Sequence, residues 1–248
     1  MTTPWRNVAS SFDLGNVRVG ATRTLSVGNA TVSNAAYQDK LAVTVTAVGN
    51  AALGAVADAS IAAGQTGLIT YSVNATGDLA GTTTLGFTST ALAGTGLTDA
   101  PLAGGSVALT GTAYGYASAD FANNATFALG NVRTGDVVAA RSLAFTNTLV
   151  AADAAYQDGL TVAASSTNAK ITATGLTNLA AGATGNVTLA VATTTAGSLA
   201  ATISTTQTSV AKAGTGLANL GLGGGTATVT GAAYDLASPT LRLHGRLR

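Results

Sequence analysis

Apolar and polar residues alternate along most of this chain, in short runs that end at glycine-rich stretches. Arg23-Thr24-Leu25-Ser26-Val27-Gly28-Asn29 puts Leu25 and Val27 on one side and Thr24 and Ser26 on the other. That is the period-2 pattern of a strand with one buried face. Leu41, Val43 and Val45 follow in the same way, with Ala42, Thr44 and Thr46 opposite. A further strand is predicted to point Ile69, Tyr71 and Val73 inward, and a later one Val187, Leu189 and Val191; Leu79 and Leu199 open the next strand regions.

The pattern is written twice. Phe12-Asp13-Leu14-Gly15-Asn16-Val17-Arg18-Val19-Gly20 returns as Phe127-Ala128-Leu129-Gly130-Asn131-Val132-Arg133-Thr134-Gly135. Arg23–Asn29 returns as Arg141-Ser142-Leu143-Ala144-Phe145-Thr146-Asn147, and Ala35-Ala36-Tyr37-Gln38-Asp39 as Ala154-Ala155-Tyr156-Gln157-Asp158. Ala93-Gly94-Thr95-Gly96-Leu97 matches Ala213-Gly214-Thr215-Gly216-Leu217, and the copies close at Tyr114 and Tyr234. Asp158-Gly159 reads as a tight turn, and Asp39-Lys40 is expected to turn with it. Each copy holds seven or eight short strands, the scale of an immunoglobulin-like sandwich of about 100 residues. The expected fold is all-β, with two tandem immunoglobulin-like β-sandwich domains over residues 12–118 and 119–240. An N-terminal leader (1–11) precedes them, and a C-terminal strand or tail (241–248) follows.

Composition sharpens this. Apolar residues make up 47% of the 248 and charged residues 8%, against roughly 25% charged in an average soluble domain. All ten acids are Asp, and Gly, Ala and Thr dominate, so the bias runs away from helix and toward strands and turns. With no cysteine, disulfides, thiolate nucleophiles and zinc–thiolate sites are excluded. The body before the tail carries 8 basic and 10 acidic residues, which excludes a strongly basic nucleic-acid surface. Apolar runs are broken by Thr, Gly or Asn too often for a membrane span. The start, Met1-Thr2-Thr3-Pro4-Trp5-Arg6, has no run suited to a signal peptide, so processing or a route without a cleaved signal is expected.

Phe-x-Leu-Gly-Asn-Val-Arg-x-Gly, then Leu-x-x-x-Asn, Ala-Ala-Gly and the closing Val107-Ala108-Leu109-Thr110-Gly111 resemble bacterial choice-of-anchor D repeats. Those belong with the ASH-type immunoglobulin-like domains, related to major sperm protein and PapD-like sandwiches. The resemblance covers residues 12–240. It implies a part of a large repetitive bacterial surface protein, hence an extracellular or cell-surface location.

Candidate chemistry is sparse. His244 is the only histidine and lies outside both copies, so a triad needing a histidine base has no candidate within them; no enzyme is expected, and no cofactor. Turn aspartates also suit calcium, with Asp153 and Asp158 as candidate members, although no EF-hand spacing is present. Gly221-Leu222-Gly223-Gly224-Gly225 precedes a strand, not a helix, and so reads as a hairpin and not as a phosphate loop. Arg18 and Arg133 recur at one motif position, where capping carbonyls or covering a sandwich edge competes with a ligand site in each domain.

The function expected is a non-catalytic structural module of a bacterial cell-surface or extracellular assembly, a homo-oligomer or polymer that inserts in no membrane. Trp5, Leu241, Arg242, Leu243, Arg246 and Leu247 are the candidate assembly residues. Leu241, Leu243 and Leu247 alternate with the basic residues, so the tail reads as a strand able to add to a sheet edge of its own domain or of the next subunit. Head-to-tail addition that does not close produces a filament. The alternative is an adhesin binding a glycan or host surface through sandwich-end loops, with Tyr37 and Tyr156 as candidate ligand contacts.

Overall fold

The computed structural model describes residues 10–241. The chain forms two compact units, and the first gathers two segments from later in the sequence. Of the described residues it contains 10–116 together with 149–158 and 211–218, while the second contains 117–148, 159–210 and 219–241.

In the first unit the strands are β1 (Ser11–Arg18), β2 (Thr22–Gly28), β3 (Lys40–Val48), β4 (Leu53–Ala57), β5 (Thr66–Val73), β6 (Gly77–Asp78), β7 (Gly81–Thr90) and β8 (Ala100–Tyr114). They make one sheet in the order β1-β8-β7-β3, with β6 on β8, and a second in the order β2-β5-β4. The first and last strands run parallel and every other pair is antiparallel. Two sheets sharing one core, with this crossover between them, make an immunoglobulin-like sandwich.

The inward residues of both sheets meet in that core. Ile69, Tyr71 and Val73 of β5 are buried, as are Val43 of β3 and Leu85 of β7. Leu41 and Val45 are half-buried against the same cluster. Leu79, between β6 and β7, is buried with them.

The repeated motif owes its glycine to a bulge. Pairing of β1 with β8 slips between Asp13 and Asn16, where Gly15 has φ +69°. Gly111 opposite has φ +141°, and a Cβ on it would stand 2.8 Å from the Gly15 carbonyl oxygen. One extra residue in the strand turns both Leu14 and Val17 into the core and sends Arg18 to its rim. Gly130 and Gly231 repeat the arrangement in the second unit.

That unit has β9 (Ala119–Phe121), β10 (Ala125–Arg133), β11 (Arg141–Asn147), β12 (Gly159–Ser166), β13 (Ile171–Thr174), β14 (Leu176–Leu179), β15 (Thr184–Val191), β16 (Gly197–Ser198), β17 (Ala201–Val210) and β18 (Leu220–Tyr234). Its sheets are β10-β18-β17-β12-β14, with β16 on β18, and β13-β15-β11-β9. Phe145 is fully buried and stacks on Phe121 with centroids 4.5 Å apart.

Two local expectations are corrected. The turn near Asp158-Gly159 lies earlier, as a single 3-10 turn over Ala154–Tyr156, matched by Ala35–Tyr37 in the first copy. Asn34 and Asp153 cap these turns by accepting the amide protons of Ala36 and Ala155, so the turn forms where a side chain holds it. The glycines at 221–225 belong to a hairpin but not to its turn: they lie inside its second arm, β18, paired to β17. A side chain at Gly225 would collide with the Phe121 ring.

Candidate functional site

The motif's arginine sits where β1 and β8 end side by side, Arg18 opposite Tyr114. In the first unit its guanidinium is the centre of a polar cluster. Arg18 Nη2 lies 2.9 Å from Asp158 Oδ2 and also donates to the Ala218 carbonyl at 3.0 Å. Nη1 donates to the Gly115 carbonyl at 3.3 Å. The face of the group lies over the Tyr116 ring, 4.4 Å from its centroid, within cation–π range. Two residues earlier on β1, Asn16 Nδ2 donates to the Thr215 carbonyl at 3.1 Å.

Backbone pairing fixes the same place. Gly115 N donates to the Tyr156 carbonyl and Asp158 N to the Gly115 carbonyl, a parallel bridge centred on Gly115 and Gln157. The Tyr114 and Tyr156 rings stand 6.3 Å apart. Asp158 is fully removed from solvent, and a carboxylate there is tolerable only when paired and hydrogen-bonded. Arg18 supplies that pairing.

The segments that fill this socket are stiffened from within. In 149–158, Gln157 Oε1 accepts from the amides of Val150 and Ala151. In 211–218, Gly214 and Gly216 have positive φ, and Thr215 Oγ1 donates to the Lys212 carbonyl at 2.8 Å.

The second unit builds the same fitting from β10 and β18. Arg133 lies opposite Tyr234 and its Nη1 donates to the Asp235 carbonyl at 3.4 Å. Its side chain is exposed at a recess of about 320 Å³ lined by Asn131, Val132, Arg133, Asp136 and Tyr234. Asp136 Oδ2 accepts from the Arg133 amide, and the Asp136 carbonyl from Thr193 Oγ1, so the recess wall is ordered. Leu236 beside it is 71% exposed.

The residues singled out from the sequence divide sharply. Tyr37 is 88% exposed, whereas Tyr156 is half-buried against Tyr114; the two are not an equivalent pair of ligand contacts. Asp153 caps a turn and Asp158 pairs with Arg18, so the two calcium candidates are each committed elsewhere. Among the described residues no three His, Cys, Asp or Glu side chains group as a metal site would need. Leu241 is exposed and in no strand; Trp5, Arg242, Leu243, Arg246 and Leu247 lie outside the described residues. Carbonyl capping, one of the readings of Arg18 and Arg133, is what both side chains do. The partnership of Arg18 with Asp158 has no local signal in the sequence: Asp158-Gly159 has the composition of a turn, and its partner lies 140 residues away.

Among the described residues no helix is long and apolar enough to cross a membrane. No family model matches the chain, and no curated protein sequence matches it. Solved structures resemble it distantly. CfaE, the adhesive subunit of the CFA/I fimbria of enterotoxigenic Escherichia coli, is 10% identical over 91% of this chain and 99% of its own, with a TM-score of 0.38. The human desmocollin-1 ectodomain is 11% identical over 89% of this chain and 40% of its own, with a TM-score of 0.39. The endo-fucoidan hydrolase MfFcnA4 is 10% identical over 94% of this chain and 30% of its own, with a TM-score of 0.30. A fimbrial adhesive subunit, an ectodomain and a hydrolase share this distant likeness, so no function follows from it.

Proposed function

We propose that the chain is a non-catalytic structural module of a bacterial cell-surface or extracellular assembly. One observation carries the reading: in the first copy of the repeated motif the polar residues Asn16 and Arg18 are spent on gripping chain segments. A solitary histidine outside both copies and the absence of cysteine point the same way, as does the resemblance of residues 12–240 to choice-of-anchor D repeats. The reading needs no cofactor. Self-association into a filament or layer is part of it, with the basic tail at 241–248 as one contributor by strand addition. Electron microscopy of the purified chain at raised concentration tests it. Ordered filaments or layers are expected; monomers under every condition would overturn it.

A second reading, an adhesin module, has one observation in its favour: Tyr37, the last residue of a side-chain-capped 3-10 turn, stands almost wholly exposed, a face on which a sugar ring would stack. Half-buried Tyr156 adds little to it. Glycan-array binding that vanishes with Tyr37→Ala would support this reading, and an array on which the wild-type chain binds nothing would remove it.

A further inference from the structure

The recess around Arg133 has a counterpart in the same molecule whose occupant is known. In the first unit the socket of Asn16, Arg18 and Gly115 is filled by segments 149–158 and 211–218. By the internal repeat, Asn131, Arg133 and Asp235 form the equivalent socket, and segments 30–39 and 91–98 are the equivalents of the filling segments.

Both halves are already shaped for the contact. Arg133 takes the pose of Arg18, donating through Nη1 to the residue after the closing tyrosine, at 3.4 Å against 3.3 Å. Segment 30–39 repeats the 3-10 turn of 149–158, with matching side-chain caps and near-identical flanking dihedrals. Gln38 Oε1 accepts from the Val32 amide as Gln157 Oε1 does from its counterpart Ala151. In 91–98, Thr95 Oγ1 donates to the Leu92 carbonyl at 2.7 Å and Gly94 and Gly96 have positive φ, as in 211–218. Little conformational entropy is then left to lose on docking.

The surfaces also match in chemistry. Asp39 holds the place of Asp158; it is half-buried, and its Oδ2 accepts from Ser89 Oγ at 2.8 Å, which fixes the carboxylate in place. Tyr37 and Leu97 are exposed where their counterparts Tyr156 and Leu217 are half-buried, and on the socket side Leu236 is exposed. The one change of size is accommodated. A Cβ at Gly115 would lie 3.9 Å from the Tyr156 carbonyl, an ordinary contact, and 3.2 Å from Thr76 Cγ2; Asp235 supplies that Cβ in the second socket, where Ala196 replaces Thr76.

We propose that a second copy of this chain docks its loops 30–39 and 91–98 on the Arg133 socket, Asp39 pairing with Arg133, Thr95 with Asn131 and Thr98 with the guanidinium. The contact is heterologous, with plug and socket on different surfaces, so it propagates head to tail. It deepens, and rests on, the structural-module reading by naming the assembling surface.

Charge reversal tests it on the full chain, by sedimentation velocity across a concentration series. Wild type is expected to grow in mass with concentration. Arg133→Asp alone and Asp39→Arg alone should each stay monomeric, since each sets like charges face to face. An equimolar mixture of the two should assemble again, every junction then joining opposite charges. Independently, the cysteine-free chain carrying Asn131→Cys and Thr95→Cys should give a ladder of oligomers with a short bismaleimide, while either single variant stops at dimer. Where the mixture does not recover, the ladder decides. Its absence overturns the proposal. Assembly indifferent to both reversals overturns the socket while leaving the module reading in place; a wild-type chain monomeric at every concentration overturns both.

Discussion

Arg18 and Arg133 hold the same place in the repeated motif, at the ends of β1 and β10 in equivalent parallel strand pairs, and reach equivalent carbonyls at 3.3 and 3.4 Å. Arg18 then continues to Asp158, Ala218 and the Tyr116 ring, while Arg133 stands exposed beside a recess. The motif therefore builds a fitting, and the fitting becomes structural only when something occupies it. Energetically the difference lies less with the arginines than with the carboxylate. Asp158 is fully buried and its counterpart Asp39 is half-exposed, so only one of the two guanidiniums has a desolvated charge to neutralise.

The largest expected effect breaks that asymmetry. Arg18→Ala leaves the buried Asp158 charge without its guanidinium and should cost about 3–5 kcal/mol. Arg133→Ala, at an exposed site, should stay within about 0.5 kcal/mol. Urea melts of the full chain measure both, and equal losses would refute the distinction between an occupied and an open socket.

The cores supply the next comparison. Each unit buries one large aromatic, but from different strands: Tyr71 on β5 beside Phe12 in the first, Phe145 on β11 against Phe121 in the second. Val27 and Leu189 occupy the exchanged positions. Ile69, beside Tyr71 and fully buried, should lose about 2–5 kcal/mol as Ile69→Ala, from lost burial and the cavity left behind. A loss below about 0.5 kcal/mol would show that β5 does not face the core.

Tyr71 sharpens the contrast further, because its buried hydroxyl has no hydrogen-bond partner among the described residues and Leu189 in the same place has no hydroxyl at all. Tyr71→Phe should be neutral, or stabilising by up to about 1 kcal/mol, since it removes an unmet polar group at almost constant volume. Clear destabilisation in the same melts would show that the hydroxyl is satisfied. The smallest effect is expected from deleting residues 241–248. Assembly should weaken less than with Arg133→Asp; unchanged mass distribution and melting would take the tail out of the mechanism.

Much of the architecture is written locally. The period-2 runs at Arg23–Asn29 and Leu68–Val73 fold as the strands they predict, and Ile69, Tyr71 and Val73 face inward, because burying alternate residues of a strand depends only on neighbours in sequence. The duplication likewise yields the same parallel strand pair with the same bulge at Gly15 and Gly130. Turn chemistry was less legible. Asp158-Gly159 has the composition of a turn, yet Asp153 and Asn34 cap the real ones several residues upstream, and the glycines at 221–225 make room for Phe121 inside a strand.

By itself, then, the sequence determined the strand pattern, the duplication and the poverty of catalytic groups, all of which are short-range or compositional properties. Only the tertiary structure decided that Asp158 meets Arg18, that Tyr156 is covered while Tyr37 is not, and that one socket is filled and the other open. A buried ion pair leaves no periodicity in the chain. Its members are matched by desolvation and geometry after distant segments have been brought together, so identical motifs acquire different roles from what the fold lays against them.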